Sequence, residues 1–336
     1  MASPPPLPDA VTGETTEMTV TEALREALYE ELERDEEVFL QGIDVADRGG
    51  SFSVSEGFLE EFGPERIRDT PISESAIVGT GLGAAAAGMR PVVEIMYSDF
   101  MGVAFDQIMN QVALMRYMFG GKLDIPLTMR TADGGGFAAA AQHSKTLHAL
   151  AMHLSGIHVV CVSTPYDAKG LLKSAIRSND PIFVFEHVTV YNKSGPVPVD
   201  DYTLPIGEAA VVREGADVTV VATQEMLYKT LDAADQLAGE IDVEVISPRT
   251  LDPLDIDTIA ASVDKTGRAV VVDETPLTAG AQSEIAAQIN DAAFWRLDAP
   301  VERVGVPDVP IPFSPPLENE VIPNADDVVA AIRRTF

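Results

Sequence analysis

The sequence predicts an α/β protein made of two α/β domains in series. Three observations carry that expectation. Short β-branched runs alternate with helical stretches along most of the chain. The runs are apolar without polar interruption, as expected of parallel strands covered on both faces. The alternation also stops and restarts once, and 336 residues leave room for two domains of roughly 150 residues each.

The first 17 residues, MASPPPLPDAVTGETTE, are proline-rich and contain no Lys or Arg. A secretory or mitochondrial leader needs a basic segment, so a disordered tail is expected over 1–17. Thr19 and Glu22 then form a capping box, and Val20, Leu24, Leu28 and Leu32 recur every fourth residue along one helical face. A short strand at 38–41 ends at Gly42. Strands at 92–96, 125–129, 157–162 and 181–186 alternate with helices around 106–117 and 167–177. Gly195, Pro196, Pro198 and Pro205 break the pattern, which predicts an interdomain linker over 187–206. Beyond it come strands at 218–222, 243–246 and 269–272, and helices at 225–237, 256–263 and 283–293. A proline-rich stretch, 307–316, precedes a last helix at 325–334. The expected domains are therefore 18–186 and 207–336. The longest uncharged stretch, 146–166, holds three histidines, Gly156 and Pro165 and makes a poor membrane span.

Lys+Arg number 23 and Asp+Glu 53, a net charge of 23 − 53 = −30. Such a surface repels nucleic acid, which excludes binding by phosphate neutralisation. Only seven of the cations are lysines. That composition suits a salt-rich cytoplasm, where screening weakens self-repulsion, and it equally suits an ordinary acidic enzyme. The one cysteine, Cys161, lies in an apolar run, so a buried thiol and a reducing, cytoplasmic location are expected.

Gly79-Thr80-Gly81-Leu82-Gly83-Ala84 looks like a loose dinucleotide fingerprint but has a helix start, not a strand, in front of it; a tightly packed Gly/Ala helix is the better account. His143, His148, His153 and His158 are spaced by five. On a helix that step turns each by roughly 140° from the last, which argues against a shared metal. His143 stands apart because it follows Gly134-Gly135-Gly136, a loop that lets backbone approach a ligand. Taken alone, Glu74 reads as a first-turn carboxylate on a helix dipole, and Tyr97 and Phe100 as core aromatics.

Together, however, DTPISES with Glu74, GMRPVVEIMYSDF, FDQIMNQVALMRYMFGG, AAQHS around His143 and STPYDAKGLLKSAIRSNDP resemble the β subunits of thiamine-diphosphate-dependent 2-oxo acid dehydrogenases. That family includes the pyruvate, branched-chain and acetoin enzymes. The resemblance runs from about residue 18 to the C-terminus and includes Pro248-Arg249-Thr250-Leu251-Asp252-Pro253 and Pro307-Asp308-Val309-Pro310-Ile311-Pro312. It implies a transketolase-type pyrimidine-binding domain followed by a transketolase-like C-terminal domain. Glu74 matches the glutamate that hydrogen-bonds a ring nitrogen of the cofactor's aminopyrimidine. Phe100 matches the aromatic packed on that ring, with Met96 also against the cofactor. His143 matches the active-site histidine, suited to proton transfer near neutral pH.

The resemblance also implies what the chain lacks. The family binds the diphosphate through Mg²⁺ held by a GDG motif and a downstream Asn on a separate α subunit, and no GDG occurs here. An α₂β₂ heterotetramer follows, inactive without its α subunits. The C-terminal domain is implied to dock the subunit-binding domain of a lipoyl-bearing acyltransferase core, for which an acidic surface is suitable. A structural monovalent cation, K⁺, is implied on the carbonyls of Leu127, Ala175, Ile176, Ser178 and Asp180. Two departures stand out: Ile43 replaces an acidic residue in Gly42-Ile43-Asp44-Val45, and the turn Thr278-Ala279-Gly280-Ala281 is poorer in glycine. The implied reaction is oxidative decarboxylation of pyruvate or a related 2-oxo acid with acyl transfer to lipoyl. Acetoin cleavage and a non-catalytic assembly subunit are the alternatives.

Overall fold

The computed structural model describes residues 5–8 and 11–336. In chain order the first half comprises β1 (Thr15–Thr19), α1 (Val20–Arg34), β2 (Val38–Gly42), α2 (Phe58–Phe62), β3 (Ile67–Asp69), α3 (Glu74–Ala86) and β4 (Arg90–Tyr97). A 3₁₀ turn (Ser98–Gly102) and a π-helical segment (Gln107–Val112) lead into α4 (Ala113–Met118), then β5 (Thr128–Asp133), α5 (His148–Met152), β6 (His158–Val162), α6 (Pro165–Arg177), β7 (Ile182–His187) and β8 (Ser194–Pro198). The second half runs β9 (Ala210–Arg213), β10 (Val218–Ala222), α7 (Gln224–Gln236), β11 (Val243–Ser247), β12 (Thr250–Asp252), α8 (Ile256–Thr266) and β13 (Ala269–Pro276). It closes with α9 (Ala281–Ala293), β14 (Glu302–Val306), α10 (Pro315–Val321) and α11 (Ala325–Arg334).

The strands form a seven-stranded sheet in the order β12-β6-β7-β5-β4-β2-β3, a five-stranded sheet β14-β13-β10-β11-β9, and a small ribbon β1-β8. Pairing is parallel throughout the two large sheets except at β12 and β9. Two α/β layers in series are what the alternating pattern predicts. Helix α1 begins where the capping box places it, with Thr19 Oγ1 accepting from Glu22 N and the Glu22 carboxylate accepting from Thr19 N. The Gly/Ala segment is helical, as α3, and Gly81 has a positive reason to be glycine: a Cβ there would lie 2.5 Å from Val93 Cγ1 on β4. Cys161 is buried.

The structure corrects three expectations. The tail 1–17 and the linker 187–206 are not simply irregular, because Thr15–Thr19 pairs antiparallel with Ser194–Pro198 and ties one to the other. Proline is tolerated there because a two-stranded ribbon consists of edges only. Residues 1–4 and 9–10 of the expected tail lie outside the described residues. The strand expected at 125–129 is instead Thr128–Asp133. Its polar residues hide it from an apolar-run criterion, yet all six are buried and two of them find side-chain partners on other elements: Arg130 with Glu94 and Glu186, Asp133 with Gln224. The helix around 106–117 is split, its first part π-helical.

The two halves share one interior. A single apolar cluster runs from Ile77, Val93 and Phe185 in the first half to Val221, Ile246 and Ile285 in the second. Strand β12 of the second half is hydrogen-bonded to β6 as the edge of the larger sheet, and Gln224 N donates to Ser163 Oγ at 2.9 Å across the same seam. Among the described residues no helix is long and apolar enough to cross a membrane.

Candidate active site

Helix α3 starts at Glu74, whose carboxylate the dipole of the first turn favours. The residue is only 6% exposed, and among the described residues no group donates a hydrogen bond to its carboxylate. With no such donor, the carboxylate is open to one that arrives from elsewhere. Ser75, next along, donates to Val103 O at 2.6 Å and fastens the start of α3 to the segment following Phe100. Gln41 Nε2 donates to Ile77 O at 2.7 Å and holds the helix onto β2.

Strand β4 leads into the second part of the site. Its pairing with β5 slips between Ile95 and Tyr97, and such a bulge re-aims side chains at a strand end. Beyond the slip, Tyr97 and Phe100 meet His143: the imidazole lies edge-on to Tyr97 at 4.9 Å and to Phe100 at 5.4 Å. Phe137 lies parallel to Tyr97 at 6.3 Å. His143 is half-buried and reached by the loop that begins at Gly134. Lys145 at the end of that loop pairs with Asp99, and Lys145 O accepts from Ser98 Oγ at 2.8 Å and Gly134 N at 3.2 Å. Burial raises the Tyr97 phenol above its ordinary value, with Asp99 adding to the effect.

The site residues expected from sequence thus divide. Phe100 and His143 come together, and the start of α3 is tied to the turn that follows Phe100. Met96, at the slip in β4, lines a small cavity with Phe52, Glu94, Arg130 and Tyr191. Within that cavity burial raises the Glu94 carboxyl against the pull of Arg130. Ile43 is half-buried and, like Phe100, packs on the main apolar cluster; where an acid was expected there is an apolar contact. Ala279, in the glycine-poor turn, adopts φ +56°, a conformation more typical of glycine.

Of the residues expected to hold a monovalent cation, Ala175 and Ile176 end α6, Leu127 precedes β5, and Ser178 and Asp180 lie between α6 and β7. Arg90 Nη1 donates to Ile176 O at 3.0 Å and Ser178 O at 2.9 Å. Leu127 O accepts from Ile182 N, and Ala175 O from Ser178 N. Asp180 pairs with Arg116.

The expected histidine series does not share one environment. His148 lies fully buried between Asp133, with Nδ1 to Oδ2 at 3.5 Å, and Asp273, with Nε2 to Oδ2 at 2.9 Å. Burial opposes its charge, but Asp273 and Asp133 outweigh it and raise its pKa well above the usual value. His187 is likewise buried, and its Nε2 is 2.9 Å from Glu274 Oε2. Thr189 N donates to His187 Nδ1, which leaves Nε2 to carry the proton toward Glu274. Sequence reasoning missed Asp273, Glu274 and Glu318 altogether. No spacing links them to the histidines, which lie more than 80 residues earlier.

Residues 16–193 match the transketolase pyrimidine-binding domain, and residues 207–328 match the transketolase C-terminal domain. The acetoin:2,6-dichlorophenolindophenol oxidoreductase subunit beta of Cupriavidus necator is 47% identical, over 95% of this chain and 97% of its own. The chain belongs to the β-subunit family of the 2-oxo acid and acetoin dehydrogenases. The pyruvate dehydrogenase E1 component subunit beta of Bacillus subtilis is 45% identical over 95% of this chain and 99% of its own. The 2-oxoisovalerate dehydrogenase subunit beta of the same organism is 42% identical over 94% and 98%. Among solved structures, a split-gene transketolase described as an inactive beta4 tetramer aligns with a TM-score of 0.76 and 25% identity, covering 95% of this chain and 98% of that one. Six strands of the larger sheet, and with them Glu74, Phe100 and His143, lie within the pyrimidine-binding match, whereas its edge strand β12 comes from the C-terminal one.

Proposed function

We propose that this β subunit forms half of a thiamine-diphosphate site and, with an α subunit, decarboxylates pyruvate or a related 2-oxo acid oxidatively and passes the acyl group to lipoyl. The observation carrying this reading is Glu74, a carboxylate without a partner at a helix start fastened to the turn that follows Phe100, the ring that packs on His143. A carboxylate in a dry site suits a ring nitrogen that takes on positive charge, since opposite charges couple strongly at low dielectric. When bound, thiamine diphosphate supplies the electron sink for breaking the bond beside the ketone carbonyl. Glu74 would orient its aminopyrimidine and stabilise the positive charge there, with Phe100 and Met96 as apolar walls. His143, half-buried with its aromatic neighbours offering no hydrogen bond, keeps ring nitrogens free to give or take a proton.

The α subunit would bring the diphosphate and Mg²⁺ site, for which this acidic chain has neither GDG motif nor spare lysines. Apolar side chains left exposed next to the start of α3 and in the segment fastened to it, Ile72 and Val103, suit such a partner. In the same reading the C-terminal domain docks the lipoyl-bearing core, K⁺ sits on the carbonyls beside Arg90, and the assembly is a cytoplasmic α₂β₂ heterotetramer.

Co-expression with an α subunit carrying GDG and the downstream Asn, followed by dye-linked turnover of pyruvate, branched 2-oxo acids and acetoin, tests the reading. Turnover of pyruvate or a branched acid that needs both chains and thiamine diphosphate is expected. Acetoin turnover alone would favour the alternative, and cofactor binding without turnover of any substrate would leave an assembly subunit.

A further inference from the structure

Four residues of the loop ahead of His143 take left-handed backbone at alternate positions: Gly134 (φ +83°), Gly136 (φ +94°), Ala138 (φ +59°) and Ala140 (φ +61°). Alternation of this kind turns neighbouring amides to one side and makes a small anion-binding nest. The anions that fill it come from the other domain. Glu274, on β13, accepts Gly135 N at 2.7 Å. Glu318, on α10, accepts Gly136 N at 2.9 Å through one oxygen and Ala138 N at 3.0 Å through the other. Both carboxylates are buried, 5% and 2% exposed, so water cannot stand in for them. Glycine is needed on the loop side, since a Cβ on Gly134 would lie 2.0 Å from the His187 ring and one on Gly135 2.7 Å from Ile322.

We propose that Glu318, with Glu274 behind it, is a positioning residue that fixes the loop from Gly134 to Lys145 and thereby aims His143 at the substrate. The proposal rests on the reading of His143 as the proton-transferring group. Between the clamp and His143 the loop makes few other bonds: His143 N donates to Ala140 O, and Lys145 Nζ to Ala141 O. The left-handed alanines therefore depend on the carboxylate, because a non-glycine residue leaves that conformation when nothing holds it. The C-terminal domain thus shapes the active site without touching it.

The test uses the full chain co-assembled with its α subunit. Glu318→Gln keeps one acceptor oxygen but turns an NH₂ group toward the second amide, so donor faces donor. It should lower kcat about 10- to 100-fold, as a misplaced catalytic group does, while leaving the affinity for thiamine diphosphate unchanged; Glu318→Asp should recover part of the loss. Combined with His143→Ala, it should slow the enzyme no further than His143→Ala alone. Hydrogen exchange read independently of activity should show the amides of Gly136 and Ala138 losing protection in Glu318→Gln. Unchanged kcat with unchanged protection would overturn the proposal, and so would losses that multiply in the double variant. Full turnover by His143→Ala would overturn the reading of His143 and the catalytic half of the proposal with it, whereas the exchange measurement decides the clamp separately.

Discussion

At the seam between the domains, His148 lies between Asp133 and Asp273, His187 meets Glu274, and Glu318 accepts two backbone amides. On the outer face of the same domain, Glu74 is as buried as Glu274 yet has no donor among the described residues, and His143 touches only aromatic edges. The side-chain types are the same and their partnering is opposite. Buried charged groups paired within the chain hold the fold together; a carboxylate left without a donor points to a partner from outside. On the proposed reading, the same contrast accounts for a chain with two complete domains that forms half of a site.

Several perturbations bear on that contrast. Replacing His148 with Ala leaves Asp133 and Asp273 buried against each other without a cation. Removal of one partner from a buried ionic group costs about 3–5 kcal/mol, so a large drop in the unfolding midpoint is expected by calorimetry. A variant as stable as the wild type would show that the seam does not depend on this pairing.

A smaller effect is expected from pH. The folded-state pKa of His148 is raised, so its contribution is complete below the unfolded value of about 6.5 and is lost as pH rises through the folded value. Thermal stability should therefore fall on the alkaline side, and the part of that fall due to His148 should vanish in His148→Gln. An identical pH profile in the variant would contradict the assignment.

Asp201→Asn should have the smallest effect. Lys173 and Arg177 hold the Asp201 carboxyl down to about 2, and its partner Lys173 is buried and also pairs with Glu30 where α1 meets α6. Its own side chain is 64% exposed, so solvent screens the pair and the loss should stay within about 1 kcal/mol. Because the folded pKa is lowered, the contribution is present above the unfolded value near 3.9 and disappears as pH falls toward 2. Denaturant titrations at pH 7 and pH 3 measure it: the difference between variant and wild type should shrink at the lower pH.

Much of this was legible in the sequence. The capping box at Thr19, the apolar runs of β6 and β7 and the Gly/Ala helix α3 announce themselves because local periodicity and short-range bonding dictate them. The site was legible only through the order of its motifs, since Glu74 alone looks like any first-turn carboxylate. Three features were hidden. β5 is polar because Arg130 pairs within the larger sheet and Asp133 across the seam; β8 holds two prolines yet pairs with β1 over more than 170 residues; and Glu274 and Glu318 reach the His143 loop from another domain. Each depends on long-range contacts that leave no local trace in the chain.

The central claim is that Glu74 is unsatisfied because its partner is the cofactor. Glu74→Gln in the co-assembled α/β enzyme tests it, with turnover and the unfolding midpoint of the cofactor-free protein measured on the same preparation. Turnover should fall at least about 100-fold, as loss of a group engaged in proton transfer does, while the midpoint stays level or rises because no internal bond is lost and a buried charge is removed. Full turnover, or a midpoint that drops sharply, would contradict the account.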